Sequence, residues 1–285
     1  MAALPPLPDR TQLADLCREA AAAERVEPQL VEKDFYLTRL LWALGEEFGE
    51  ELLLKGGTLL SKVDLGFFRM SEDADLVIPG EPSRFRNANV RRMNRVRDAL
   101  RQLSPSVGVA ARFPGGELLN RAEHCMWDLT YESEFGAQRI KLEVSIRPVA
   151  QPARRVKLAQ LLSDPLAGDY SGATCHALSA DEARAEKVRA AFTRAAIRDY
   201  YDLARLLDAR ADLTSDEFVQ LVDRKLAELG APPLREQPPS FGLDARRLEL
   251  LQGAVGTELR AVLRADAPTF ALEATLRRFD RLWKK

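Results

Sequence analysis

Apolar positions recur along the chain at two different spacings, and the change from one to the other marks its elements. Residues 11–25 read as a first helix, and a second begins after Pro28, where "PQLVEKDFYLTRLLWALGEEF" places Leu30, Phe35, Leu37, Leu41 and Leu44 at helical spacing. "ELLLK" (51–55) is a short apolar strand broken by Gly56 and Gly57, after which Thr58 is expected to cap a short helix through Leu65. "DADLVI" (73–78) alternates and then runs apolar, as a strand does, until Pro79, Gly80 and Pro82 end it. Residues 84–103 put Val90, Met93, Val96, Leu100 and Leu103 on one side of a helix. "CMWDLTYES" (125–133) and "RIKLEVSIR" (139–147) read clearly as strands and flank "EFGAQ", which predicts a hairpin.

After Pro148 the pattern changes. Pro152, Pro165 and Gly168 mark a connecting stretch, and from Ser179 the spacing is helical over 179–194, 198–210, 214–229, 244–264 and 268–283. The pattern predicts an α+β fold: an α/β unit with N-terminal helices over 1–150, a connection over 151–178 and a helical unit over 179–285. No internal repeat is present.

Composition narrows the class without naming a partner. Of 285 residues, 46% are hydrophobic and 30% charged, as in ordinary globular proteins. Lys+Arg of 42 against Asp+Glu of 43 gives a net charge of −1, so only local patches speak to nucleic acid. Cys17, Cys125 and Cys175 are far apart and no CxxC occurs; with only His124 and His176 present, a zinc site is not expected and a reduced cytoplasmic setting is. "MAALPPLPDR" lacks the layout of a signal peptide, and no apolar run approaches the ~20 residues of a membrane span.

The candidate chemistry lies in "LKGGTLLSKVDLGFFRMSEDADLVI" (54–78). On a strand, Asp73 and Asp75 project to one side while Ala74 and Leu76 project to the other. Two carboxylates held this close repel, and a cation relieves the cost. Oxygen-only ligands suit Mg²⁺ or Mn²⁺, with substrate phosphates completing the shell. Gly56 and Gly57 let a backbone approach a phosphate, Thr58 adds a hydroxyl donor, and Lys55 adds a positive charge for a nucleoside triphosphate. On "RIKLEVSIR", Ile140, Leu142, Val144 and Ile146 form one face and Lys141, Glu143, Ser145 and Arg147 the other. Glu143 is the preferred further acid, as ligand or base, with Asp128 on the neighbouring strand as the competing choice.

These residues carry a resemblance. GG-T followed by "SEDADL" resembles the nucleotidyltransferase superfamily with the DNA polymerase β-like fold. More narrowly, "VEKDFYLTRLL" (31–41), "LKGGTLLSK" (54–62), "RMSEDADL" (69–76), "IKLEVS" (140–145) and "ADEARAEKVRAAFTRAAIRDYYDLARL" (180–206) together resemble the AbiEii/MenT toxin family. The resemblance implies a mixed sheet followed by a helical unit that contributes to the active site. It implies a nucleotidyltransferase toxin of two-gene toxin–antitoxin and phage-defence systems. In such systems NMP passes from an NTP to the 3′ end of tRNA and translation stops, with a cognate antitoxin encoded alongside. It places Gly56, Gly57 and Thr58 on the phosphate-turn motif and Ser71, Asp73 and Asp75 on the serine–acid–acid motif, with the aspartates as metal ligands. It makes Lys187 a nucleotide phosphate contact and Asp199 a site-completing acid. Glu143 stands where the family often has an acid, commonly Asp.

From the residues alone, Lys187 is a solvated helix lysine, and Arg198, Asp199, Asp202 and Arg205 form intrahelical ion pairs. Glu32, Lys33 and Asp34 are likewise an ordinary polar helix face. Residues 84–112 hold eight arginines against one acid, Asp98. Arg91, Arg92 and Arg95 lie off the apolar stripe of that helix and suit a polyanion such as RNA phosphate, or a solvated face balanced by acidic neighbours. Two other classes stay open: the same chemistry on a protein or small-molecule acceptor, and a non-catalytic nucleotide-binding interaction module.

Overall fold

The computed structural model describes residues 4–113 and 115–283. The chain divides into two compact units, 1–179 and 180–285.

The first unit is built on a mixed sheet. Its strands are β1 (Leu53–Lys55), β2 (Asp73–Pro79), β3 (Ala110–Ala111), β4 (Glu117–Leu119), β5 (His124–Tyr131), β6 (Gln138–Arg147), β7 (Arg154–Lys157) and β8 (Thr174–Ala177). They lie in the order β3-β5-β6-β2-β1-β8-β7, with β4 paired to β5 off that path. β2 runs parallel to β6 and antiparallel to β1, and the predicted hairpin is β5 against β6. Alternation fixes the faces. Ala74, Leu76, Cys125, Trp127, Leu129, Ile140, Leu142 and Val144 are buried, each such large apolar side chain contributing about 1.5–3 kcal/mol. Asp73, Asp75, Lys141 and Glu143 occupy the alternate positions and are only half-buried.

Two strands fall in the stretch read as a connection. β8 lies beside β1 in parallel, and β7 closes that edge. "RRVK" and "TCHA" are too short and too polar for a period to register.

Helix α1 (Arg10–Glu24) packs on α2 (Pro28–Phe48), and α2 lies across the sheet, buried along most of its length. The burial reaches its polar residues. Asp34, 4% exposed, accepts from Lys62 Nζ at 2.5 Å and from the Leu161 backbone at 3.0 Å, and Glu32 accepts from Ser133. Lys33 pairs with Glu72 at 3.0 Å. The trio read as a solvated face is instead a set of ties: Asp34 to the segment after the glycine turn, Lys33 to the residue before Asp73.

Helix α3 (Gly56–Leu59) passes into a wider turn over Leu60–Asp64. Helix α4 (Arg86–Val107) outruns its expected end at 103 and contains Pro105. Proline there removes one hydrogen bond in the last turn. Arg39, 1% exposed, donates to the Ser106 and Val107 carbonyls, which gives the end of α4 partners beyond the helix.

The second unit contains α5 (Ala180–Thr193), α6 (Ile197–Asp208), α7 (Asp216–Ala227), α8 (Ala245–Ala254) and α9 (Leu272–Trp283). The helix read over 244–264 ends at Ala254 and gives way to looser turns through Val262. Phe192, Phe241, Phe279 and Trp283 form its aromatic centre. Among the described residues, no helix is long and apolar enough to cross a membrane.

Candidate active site

Strand register builds two rows across the polar face of the sheet. In one, Lys55 of β1 stands opposite Asp75 of β2, which stands opposite Glu143 of β6. In the next, Asp73 stands opposite Lys141, which stands opposite Asp128 of β5. Neighbouring strands are about 4.8 Å apart, so these charges are mutual neighbours. Lys141 Nζ is paired with Glu143 Oε1, and His124 Nε2 lies 3.8 Å from Glu143 Oε2. The Glu143 hydrogen bond raises the Lys141 ammonium above its ordinary value against the opposing pull of burial, with Glu143, Asp73 and Asp75 adding their charges. Burial lowers the His124 imidazole. Asp128 is turned to Arg139 at 3.4 Å, which leaves Glu143 as the acid nearer the aspartates.

The glycine turn touches this face directly. Gly56 has φ +74°, and a Cβ built on it would lie 2.3 Å from Asp75 Oδ2. A Cβ on Gly57 would lie 2.2 Å from Arg69 Nη2. The two glycines therefore admit the Asp75 carboxylate and a buried guanidinium close against the turn, whatever else approaches it. Gly56→Ala is expected to cost about 1–3 kcal/mol from the left-handed backbone and to displace the Asp75 carboxylate. Chemical denaturation alongside a transfer assay checks both, and wild-type stability with full activity would contradict the packing.

Thr58 does something other than cap a helix. It is 1% exposed and lies inside α3, and its hydroxyl donates to the Asp73 carbonyl. With that proton committed, the 2.7 Å contact to Ser71 is a hydrogen bond from Ser71 to Thr58. Thr58 is thus a brace between the turn and the start of β2.

Lys187 and Asp199 belong to the second unit and are buried there. Lys187 Nζ lies 2.8 Å from Asp199 Oδ1 and 2.8 Å from Asp202 Oδ2. Arg194 Nε donates to Asp199 Oδ2 at 2.7 Å. These pairs join α6 to α5 and to the loop after it, where intrahelical pairs were expected. Burial alone would raise the Asp199 carboxyl; Lys187 and Arg194 overcome it and hold the group down at about 2.

Of the three arginines nominated for RNA, Arg91 is exposed. Arg92 donates to the Pro79 and Glu81 carbonyls, and Arg95 pairs with Glu51 at 2.6 Å. Arg92 is thereby part of the fold. Lys141 and His124 were not singled out from sequence as site residues. Their places on the polar face of the hairpin were the available signal, and the register with β2 supplies what was missing.

The family model for the nucleotidyl transferase AbiEii toxin, Type IV toxin–antitoxin system, matches residues 39–285. The chain belongs to that family. Among solved structures it is similar to MenT4, nucleotidyltransferase toxin Rv2826c from Mycobacterium tuberculosis H37Rv. That match has a TM-score of 0.60 at 23% identity over 95% of this chain and 88% of that one. It is also similar to JHP933 from Helicobacter pylori, with a TM-score of 0.53 at 14% identity over 91% and 92%. No curated protein sequence matches it. The mixed sheet and its helices thus share the fold of these two structures, and AbiEii membership makes the chain a nucleotidyltransferase of a toxin–antitoxin system, with an antitoxin as partner.

The donor chemistry bears on the metal that AbiEii membership leads one to expect. Among the described residues, no three His, Cys, Asp or Glu side chains converge as a ligand cage. Two carboxylates on one face do fit a hard cation that keeps water and takes phosphate oxygens for its remaining positions. Asp73 and Asp75 would hold it; Glu143, engaged by Lys141, lies next to them in the row.

Proposed function

We propose that this AbiEii protein is a metal-dependent nucleotidyltransferase that moves NMP from an NTP to the 3′ end of tRNA, acting in the cytoplasm within a toxin–antitoxin or phage-defence system. The observation that carries the proposal is the Asp75 carboxylate lying against Gly56, with Asp73 two residues away on the same face of β2.

Asp73 and Asp75 would bind Mg²⁺ or Mn²⁺, which supplies charge neutralisation on the triphosphate and the leaving pyrophosphate. Lys55, in register with Asp75, orients the phosphates along the row. The 3′-hydroxyl oxygen attacks the α-phosphorus as the bond to pyrophosphate breaks. Glu143 Oε2, the oxygen turned away from Lys141, accepts the hydroxyl proton. Thr58 and Ser71 keep the start of β2 seated on the turn, so that both aspartates remain aimed at one place. Lys187 would take the nucleotide-contact role implied by its motif from the position where it meets Asp199 and Asp202.

Incubating the protein with each α-labelled NTP, Mg²⁺ and total RNA tests this. Label is expected in tRNA, removable by a 3′-exonuclease. Label in protein or a small molecule and none in RNA overturns the acceptor, and no transfer from any NTP makes the chain a nucleotide-binding module.

A further inference from the structure

The Lys141–Glu143 pair is unusual in what it does not do. Its partners are two apart on one strand, so it ties no two elements together and contributes nothing to the assembly of the sheet. It is also exposed enough to be weakly held: Lys141 is 41% and Glu143 24% exposed at the side chain. Lys141 nevertheless stands in register with Asp73, one position from the Asp75–Glu143 row. Around it are Asp73, Asp75, Glu143 and Asp128, with Lys55, His124 and Arg139 beyond them. Its ammonium is paired with Glu143 and lies within the charge influence of Asp73 and Asp75, the acids that the metal reading assigns to a divalent cation.

We propose that Lys141 is a resident counter-ion of the carboxylate row, and that it is transferred from Glu143 to the phosphates of the incoming nucleotide as a divalent cation binds, making the two ligands bind cooperatively. This rests on the metal-site reading above. A cation on Asp73 and Asp75 repels the ammonium two strands' width or less away, so binding of the cation alone is opposed. A triphosphate offers the displaced ammonium a new anion, and its flexible stem lets it swing. Each ligand then raises the affinity of the other by the same factor. Lys141 is therefore a substrate-positioning residue whose second task is to keep the site closed to free metal.

The test is Mn²⁺ titration of the full-length protein, followed by the electron paramagnetic resonance of unbound Mn²⁺, with and without a non-hydrolysable NTP analogue. In the wild type the analogue tightens Mn²⁺ binding. Lys141→Met is expected to tighten nucleotide-free Mn²⁺ binding by about tenfold and to shrink the enhancement by the analogue. General damage would weaken binding, so the direction of the change separates the two. Lys141→Arg keeps the charge and should keep the wild-type pattern. Unchanged or weaker nucleotide-free binding in Lys141→Met, or an Arg variant that behaves like Met, overturns the role of Lys141 while Asp75→Asn still abolishes binding. If Asp75→Asn binds Mn²⁺ as the wild type does, the metal site itself is wrong and this inference goes with it.

Discussion

Asp75→Asn is expected to lower nucleotidyl transfer by at least about a thousandfold while leaving the melting temperature unchanged or slightly raised. The two halves of that result come from the same geometry. Asn keeps the shape that packs over Gly56, and β2 needs no charge there for its hydrogen bonds to β1 and β6. Removing one of three clustered carboxylates also relieves repulsion from Asp73 and Glu143. The chemistry loses one of the two carboxylates that β2 presents on one face, and with it the negative charge that holds a divalent cation. Parallel melts and label-incorporation rates on the two proteins check this. A folded variant that retains more than a few per cent of the rate would remove the carboxylate pair from the mechanism.

Lys187→Met is expected to cost about 3–5 kcal/mol of stability. Met matches the length of the stem but leaves Asp199 and Asp202 buried with their shared cation gone. Arg194 still reaches Asp199, while the ammonium that Asp202 Oδ2 meets at 2.8 Å is lost. The effect should vary with pH in a defined sense. The Asp199 carboxyl is held at about 2, below its ordinary 3.8. Its contribution is therefore complete above pH ~4 and is lost as pH falls through about 2. Urea melts should show the gap between wild type and variant widest near neutrality and narrowing between pH ~4 and ~2. A constant gap across that range would contradict the pairing. Because the stability loss is large, activity measured on this variant reports nucleotide contact only at a temperature where the variant is fully folded.

The main lines of this account were legible in the sequence because they depend on period. Alternation in "DADLVI" and "RIKLEVSIR" placed the aspartates and Glu143 on polar faces, and the strands observed there keep those faces. Helical spacing found α2 and most of the second unit. What escaped notice depends on partners distant in sequence. Asp34 and Lys62 are charges on helical segments that no local pattern marks as buried, and they are paired across 28 residues. β7 and β8 are short, and only their neighbours in the sheet make them strands. Thr58 follows two glycines, as a cap would, but the Asp73 carbonyl 15 residues on takes its proton. Lys141 shows its meaning only once β6 is set in register with β2. The residues of the second unit were visible as a polar stripe, but their pairing between helix and helix was not.

The central claim is that Asp73 and Asp75 together hold a divalent cation beside the glycine turn. Anomalous diffraction from crystals soaked in Mn²⁺ with a non-hydrolysable NTP analogue tests it most directly. The account predicts a peak within about 2.0–2.3 Å of an oxygen of each carboxylate, shared with phosphate oxygens lying by Gly56 and Gly57. Nucleotide bound with no peak at that place, or a peak held by other side chains, would contradict it.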